Sequence, residues 1–571
     1  MGVQKRLSVL VAVLYHIMKV ILDIHVAIVG QIKELIVGRK ILDLTGKVAL
    51  IINYNDSNLG RALRDELLKR NCKVCVTTNS SFRKSTETTL NSTKPYTEYQ
   101  LNTANYFQVQ SLKSSIEDAF GTVDILVVLS PEIPDMNIIE ACEGNYALIV
   151  RDTLKSHFWS AKCFLDGMVS KKDGHIVTVV PFGGRSDIAN VLRRATTGFL
   201  EAWHGELIIS RKSFISMTYV NDYRFRENSL EEERVAARKI IRGLITKART
   251  VNIKSKVPGQ DPDSTLKDLK IVFMRILLAI LITVKTKLTD WFGKESKKNI
   301  SHQVALVTGG GMGLGRQIAI SLAKQGCNVA IADIDLENAQ KTADDLVKYR
   351  VKSKAYKIDV SSLTHIVRLK LDIRKDFGEV DIIVNNAGLM PVATVSQAKM
   401  RTIEKTIDVN LISHLLMLKE FLPDMLSAKR GHIVAISSMA GVQPLPVGVV
   451  YTTTKFGVVG LMDSLDYELK KSKRDFVKVT TVHPYFIKTR ADLVKVLSGN
   501  PLFNIWPWLE ADFVSRKVVE AILKEERRVF IPNSKNFLLL TTLVPPAVKD
   551  YIAEKLSKHI PVIKSEGNIL T

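Results

Sequence analysis

The sequence predicts an α/β protein of two tandem domains, each a doubly wound parallel sheet. Its 571 residues exceed what one ordinary core organises, which favours two domains. The chain also repeats itself: GHIVTVVPFGG from Gly174 answers GHIVAISSMAG from Gly431, an offset of 257 residues (431 − 174). GTVDILVVLSP from Gly121 answers GEVDIIVNNAG from Gly378, and KVALIINYNDSNLGRAL from Lys47 resembles QVALVTGGGMGLGRQI from Gln303. Short β-branched runs alternate with amphipathic stretches; in the second copy they are VALVT, NVAIAD, AYKID, DIIVNN, HIVAIS and KVTTVHP. Such βαβ winding places crossover helices on both faces of a parallel sheet.

Along the chain the expected order is an apolar N-terminal anchor (1–42), the first α/β domain (43–250) and a linker with a second apolar segment (251–300). The second α/β domain (301–535) and an apolar, helical tail (536–571) follow. Leu7 to Val29 is largely apolar but carries His16, Lys19, Asp23 and His25, and Ile271 to Val284 is short and interrupted by Arg275. A span needs about 20 apolar residues and tolerates central charge poorly, so both segments read as interfacial, membrane-associating helices. For the first, a true span and a helix packed on the protein stay open. No small-residue cleavage site follows it, which argues against a signal peptide.

Lys and Arg outnumber Asp and Glu by 81 to 58, a net charge of +23 that calls for an anionic neighbour. No zinc-finger spacing, RNA-recognition signature or base-reading basic helix is present, so no nucleic-acid partner is expected. An anionic membrane surface fits the basic flanks of the apolar segments, and a merely solvated surface is the alternative. Five scattered cysteines suggest a reducing compartment. Cys72 and Cys75, on a predicted strand from Cys72 to Thr77, point to opposite faces, and no metal site is expected. The sequons at Asn91 and Asn299 matter only in a secretory lumen; cysteine usage and basic charge favour a cytosolic face.

In the second copy Thr308, Gly309, Gly310, Gly311, Met312, Gly313, Leu314 and Gly315 join the strand VALVT to a helix. A glycine-rich strand-to-helix turn lets backbone approach a pyrophosphate at a helix N-terminus, the mark of a Rossmann-like dinucleotide site. Asp333 ends the next strand, eighteen residues after Gly315, where a carboxylate accepts from ribose hydroxyls and repels a 2′-phosphate. This favours NAD over NADP; a helix-capping aspartate is the alternative reading. Asp359 and Val360 close the third strand, where they would hold the adenine, and Asn386, Ala387 and Gly388 close the fourth, as cofactor floor or as bracing of the sheet.

Ser438 precedes Tyr451 by thirteen residues, and Lys455 follows four later, on the same helix face. Oxidising an alcohol needs a base, and tyrosine, with a pKa near 10, requires help at neutral pH. A neighbouring ammonium and a positive nicotinamide ring would lower that pKa, so Tyr451 reads as base, Lys455 as its tuner and Ser438 as holder of the substrate oxygen.

TGGGMGLG, Asp333, Asp359, NNAG, Asn410, Ser438, YTTTK and the PYFIKT run ending at Thr489 together resemble the short-chain dehydrogenase/reductase family over about 301–535. The resemblance implies that Asn410 supports a water chain from Lys455 and that Thr489 contacts the nicotinamide carboxamide. Tyr485 departs from the family's usual glycine after Pro484. FLPDMLSAKRGHIVAISSMAG, KFGVVGLMDSL and EADFVSRKVVEAILKEERRVFIP are more narrowly similar to the membrane-associated retinol dehydrogenase and 17-beta-hydroxysteroid dehydrogenase branch, found at endoplasmic reticulum and lipid droplets. That similarity implies a lipophilic alcohol or carbonyl, steroid or retinoid, as substrate. Leu502, Phe503, Ile505, Trp506, Trp508 and Phe537 to Leu540 either line a substrate mouth or pack on the core.

At the constant offset, Asn410, Ser438, Tyr451 and Lys455 answer Thr153, Pro181, Arg194 and Gly198 in the first copy. Its cofactor loop keeps only Gly60, and Thr78 stands where Asp333 does. The first domain is therefore expected to be a dehydrogenase fold without turnover, packed against the active copy as an intramolecular pseudo-dimer, with a homodimer as the other arrangement. An NADPH-dependent carbonyl reductase, or a membrane or lipid-droplet scaffold with vestigial activity, are the rival functions.

Overall fold

A computed structural model of the protein describes residues 42–53, 55, 57–79, 94–130, 136–143, 146–181, 188–223, 230–253, 297–446, 448–489 and 508–533. Both apolar segments, the C-terminal tail and the aromatic positions from Leu502 to Trp506 lie outside these residues. Among the described residues no helix is long and apolar enough to cross a membrane.

Each copy forms a seven-stranded, wholly parallel sheet. The strands of the first are β1 (Val48–Ile52), β2 (Lys73–Thr78), β3 (Thr97–Gln100), β4 (Ile125–Leu129), β5 (Gly174–Pro181), β6 (Ile215–Tyr223) and β7 (Thr250–Asn252). Those of the second are β8 (Val304–Thr308), β9 (Asn328–Asp333), β10 (Ser353–Lys357), β11 (Ile382–Asn385), β12 (Gly431–Ile436), β13 (Val477–Pro484) and β14 (Arg528–Ile531). Their spatial orders are β3-β2-β1-β4-β5-β6-β7 and β10-β9-β8-β11-β12-β13-β14. Both orders reverse beside the first strand, which opens a crevice at the strands' carboxyl ends. β7 corrects one boundary: the first domain runs at least to Asn252, because Val251 pairs with Val220 in the sheet. β14, RVFI, was not among the expected strands; a four-residue run carries too little periodicity to stand out.

Burial explains why the central strands read as continuous apolar runs. β1, β4 and β8 are buried at every residue, as a sheet covered on both faces requires. One outer core packs Val514, Val518 and Ile522 on the second sheet, and another packs Ile240, Ile241 and Leu244 on the first. Between the sheets lies a single core that draws Phe158, Phe199 and Trp203 from the first copy and Leu411, Phe421 and Leu461 from the second. Cys72, one residue before β2, and Cys75, within it, fall in different cores, so the strand expected from Cys72 begins at Lys73.

The two domains meet mainly through helices Ile188–Ile209 and Val449–Lys471. Small residues let them approach: a Cβ on Gly198 would lie 2.7 Å from the Phe456 ring, and one on Gly460 would lie 2.9 Å from Arg194. Asn190 Nδ2 donates to Ser464 Oγ at 2.8 Å across the same seam, and Lys155 pairs with Glu404 at 2.7 Å.

This packing corrects the register between the copies. His175 meets Thr218 at 2.9 Å in one copy and His432 meets Thr480 at 2.8 Å in the other. The offset is thus 257 (432 − 175) before the helix but 262 (480 − 218) after it. The reciprocal contacts Gly198 on Phe456 and Gly460 on Arg194 match only at 262 (460 − 198, 456 − 194). The five-residue difference therefore falls between β5 and the helix. Tyr451 and Lys455 answer Ala189 and Arg193, not Arg194 and Gly198.

Candidate active site

The glycine loop of the second copy is shaped by close backbone approach. Gly309 adopts φ 62°, and a Cβ there would lie 2.9 Å from Ala387 Cα; one on Gly315 would lie 1.9 Å from the Gly309 carbonyl oxygen. Asn386 locks this turn to the end of β11, with Nδ2 donating to the carbonyls of Thr308 (3.0 Å) and Gly309 (3.1 Å). Thr308 Oγ1 in turn accepts from the amides of Asn386 and Ala387. The helix Gly313–Ala323 that contains Leu314 has no side-chain cap on its first-turn N–H groups. Uncapped donors at a helix N-terminus favour an anion.

Asp333 closes β9 beside this loop, its Oδ2 accepting from Gly311 N at 2.8 Å and its Oδ1 from Asp335 N at 3.0 Å. Asp359 follows β10 and spends Oδ1 on the turn through Ser361, at 2.9 Å from its amide and 2.6 Å from its hydroxyl; Val360 is buried beside it. Thr489 faces the glycine loop, 3.5 Å from where a Gly313 Cβ would be. These positions fit a dinucleotide: backbone donors for the pyrophosphate, a carboxylate one strand away, and Thr489 across the crevice.

Asn410, Ser438, Tyr451 and Lys455 converge at the same end of the sheet. Asn410 is fully buried in a π-helical turn, Asp408–Ile412, a type of irregularity that concentrates at functional sites. Its Oδ1 accepts from Leu389 N at 2.7 Å, while Nδ2 donates to Leu389 O at 2.8 Å and Thr454 Oγ1 at 3.2 Å. Gly388 joins the two halves of the site: a Cβ there would lie 3.5 Å from Asn410 Oδ1 and 3.6 Å from Lys455 Nζ.

Ser438 follows β12, hydrogen-bonds Tyr451 and holds Ala440 N on its Oγ at 3.1 Å. Its carbonyl receives His483 Nδ1 at 3.1 Å. Lys455 Nζ donates to Ile436 O at 2.8 Å and lies 5.5 Å from the Tyr451 ring centroid. Burial pushes the lysine down to about 8 and raises the Tyr451 hydroxyl, against a smaller opposite pull from Ser438. In this surround the tyrosine pKa is raised rather than lowered, and burial is the cause. Ile436 O and His483, which set Lys455 and Ser438, carried no sequence signal, since a strand-end carbonyl and a lone histidine have no distinctive spacing.

The corresponding loop of the first copy is tied down by side chains of its own domain. Asn53 takes the place of Gly309 with nearly the same backbone, φ 58°. Its Nδ2 donates to Leu129 O (3.0 Å) and Ser156 Oγ (3.2 Å), and its Oδ1 accepts from Thr103 Oγ1 at 2.6 Å. Ser57 Oγ caps the helix Asn58–Leu68 by accepting from Gly60 N at 3.1 Å. The donor that an anion would use is already occupied. Thr153 is buried at the Asn410 position, with its carbonyl bound to His157.

Comparison with known proteins agrees with this geometry. A family model described as short chain dehydrogenase matches residues 47–193 and 303–495, more than half of the chain and both copies. Human 17-beta-hydroxysteroid dehydrogenase 13 is 31% identical over 47% of this chain and 88% of its own length. Human epidermal retinol dehydrogenase 2 is 33% identical over 46% of this chain and 84% of its own. Mouse estradiol 17-beta-dehydrogenase 11 is 31% identical over 50% and 94%. Among solved structures, an N-terminal ketoreductase from a macrolactin assembly line shares the fold across 86% of each chain, with TM-score 0.55 and 14% identity. The chain therefore belongs to the short-chain dehydrogenase family, as an oxidoreductase of CH–OH donors.

Proposed function

We propose that the second domain interconverts a lipophilic alcohol, of steroid or retinoid type, and its carbonyl with NAD, and that the first domain has no turnover. The observation that carries this reading is the convergence of Asn410, Ser438, Tyr451 and Lys455 on one uncapped glycine loop in the second copy only. A bound nicotinamide dinucleotide supplies the hydride acceptor or donor. Tyr451 Oη takes the proton from the alcohol or returns it to the carbonyl oxygen, and Ser438 Oγ hydrogen-bonds that same oxygen. Lys455, held by Ile436 O, keeps a positive charge near the tyrosine ring, and Asn410 braces the backbone of Leu389 beside it. Thr308, Gly309, Gly313, Leu314, Gly315, Asn386, Ala387, Gly388 and Thr489 would hold the pyrophosphate and nicotinamide end. Asp333, Asp359 and Val360 would hold the adenosine, with Asp333 selecting NAD over NADP.

In the first domain Asn53 and Ser57 occupy the phosphate approach, and Ala189 replaces the tyrosine. The apolar, basic-flanked segments and the sequence resemblance to the membrane-associated branch support a site at the endoplasmic reticulum or lipid-droplet surface, and cysteine usage and basic charge support a catalytic domain on the cytosolic side. An NAD-reduction screen over steroids, retinol and fatty alcohols, with membrane flotation of the same preparation, tests the proposal. Turnover that Tyr451→Phe lowers by about 10²-fold or more is expected. Equal turnover in the variant contradicts it.

A further inference from the structure

The first domain contributes one buried carboxyl group to the neighbourhood of the second domain's site. Glu206, on the interface helix, is 3% exposed, and both its oxygens lie 3.1 Å from the amide nitrogen of Val395 in the other domain. Burial pushes its carboxyl up to about 8, against the pull of the Val395 amide. Taking a carboxyl group out of water for a single backbone donor is costly in either protonation state, so what that bond holds needs explaining.

Val395 belongs to a segment of irregular backbone that starts at the cofactor floor. At Leu389 it is clamped by both side-chain atoms of Asn410, at Ala393 it bridges Gly448, and two residues after Gly448 the helix of Tyr451 is under way. At its far end Glu206 holds the Val395 amide, and Lys162, also of the first domain, donates to the Ser396 carbonyl. Asn410 therefore fixes one end of the segment and the first domain the other.

The arrangement is reciprocal. Glu468 of the second domain, the residue 262 after Glu206, accepts from Ile138 N at 2.7 Å and Ile139 N at 3.2 Å. Ile138 is the counterpart of Val395 at offset 257 (395 − 138). Each domain thus sets the other's segment, and the second domain's own glutamate is committed to the copy without the catalytic set.

We propose that Glu206 is a positioning residue for the second domain's reaction, so that the first domain acts as a built-in partner that completes the active site. This rests on the second domain carrying the chemistry. Full-length Glu206→Ala, Glu206→Asp, Glu206→Gln and Glu468→Ala are compared with the unmodified chain by steady-state kinetics on the alcohol that chain oxidises, and by hydrogen exchange of the peptide spanning 389–398. Glu206→Ala is expected to lower kcat on the order of tenfold to a hundredfold, since small misplacements beside a reacting group cost this much. It should also speed exchange in that peptide. Glu206→Asp, which keeps the carboxyl group at a shorter reach, should fall in between, and Glu206→Gln, which keeps an acceptor, should recover most of kcat. Glu468→Ala breaks an equivalent interdomain bond and should leave kcat and that peptide unchanged.

Equal losses of kcat in Glu206→Ala and Glu468→Ala would overturn the proposal, because a merely stabilising interface bond affects both alike. So would unchanged kcat in Glu206→Asp and Glu206→Ala. Absence of turnover in the unmodified chain would instead contradict the assignment of function, and the exchange comparison would still decide the positioning role.

Discussion

At Tyr451, burial and chemistry pull in opposite directions. Burial raises the hydroxyl's pKa and takes Lys455 down to about 8, so tyrosinate is scarce at neutral pH. Alcohol oxidation needs the deprotonated tyrosine and carbonyl reduction the protonated one. Oxidation measured as kcat/KM is therefore expected to climb between about pH 6 and 9 while reduction does not. A flat oxidation profile over that range would contradict Tyr451 as the base. The constellation was legible in the sequence: Asn410, Ser438, Tyr451, Lys455 and the glycine loop stand in order at recognisable spacings, and the structure brings them to one end of the sheet. The direction of the tyrosine shift was not, because it depends on how deeply the ring is buried.

Among elements, the interface helices show both the reach and the limit of reading by repeat. The tandem architecture followed from matching strands, and both sheets formed as expected. A constant offset nevertheless aligned the helices wrongly, since a five-residue change in the connection before Ile188 is invisible where the flanking sequences resemble each other weakly. The glycine contacts across the seam, rather than similarity, set the register. They also predict a cost. Gly460→Leu would drive a side chain into Arg194 and Asn190, destabilising the chain by about 1–3 kcal/mol in urea unfolding, with β12 and β13 intact by circular dichroism. A variant as stable as the parent would show that the helices are not closely packed.

Across the whole molecule, buried histidines make stability depend on pH. Burial takes His157 and His483 down to about 4, His175 and His414 to about 3, and His432 well below the ordinary value. The unfolded chain protonates these rings below about pH 6.5 and the folded chain does not, so stability present above that pH is lost as pH falls toward about 4. Glu206, raised to about 8, and Asp408 and Glu468, also raised by burial, work the other way, but three groups do not offset five rings. The urea midpoint at about pH 5 should lie clearly below that at about pH 7. Equal midpoints would mean that the histidines are hydrated in the folded state.

The central claim is that one fold occurs twice and only the second copy takes the cofactor. In the first copy Asn53 is hydrogen-bonded within the loop region and Ser57 caps the helix that follows, whereas in the second Gly309 and Gly315 shape the turn and the helix that follows has no side-chain cap. Calorimetric titration of the full-length chain with NAD tests this without any choice of substrate. One equivalent bound per chain is the expected result, and two equivalents would contradict it.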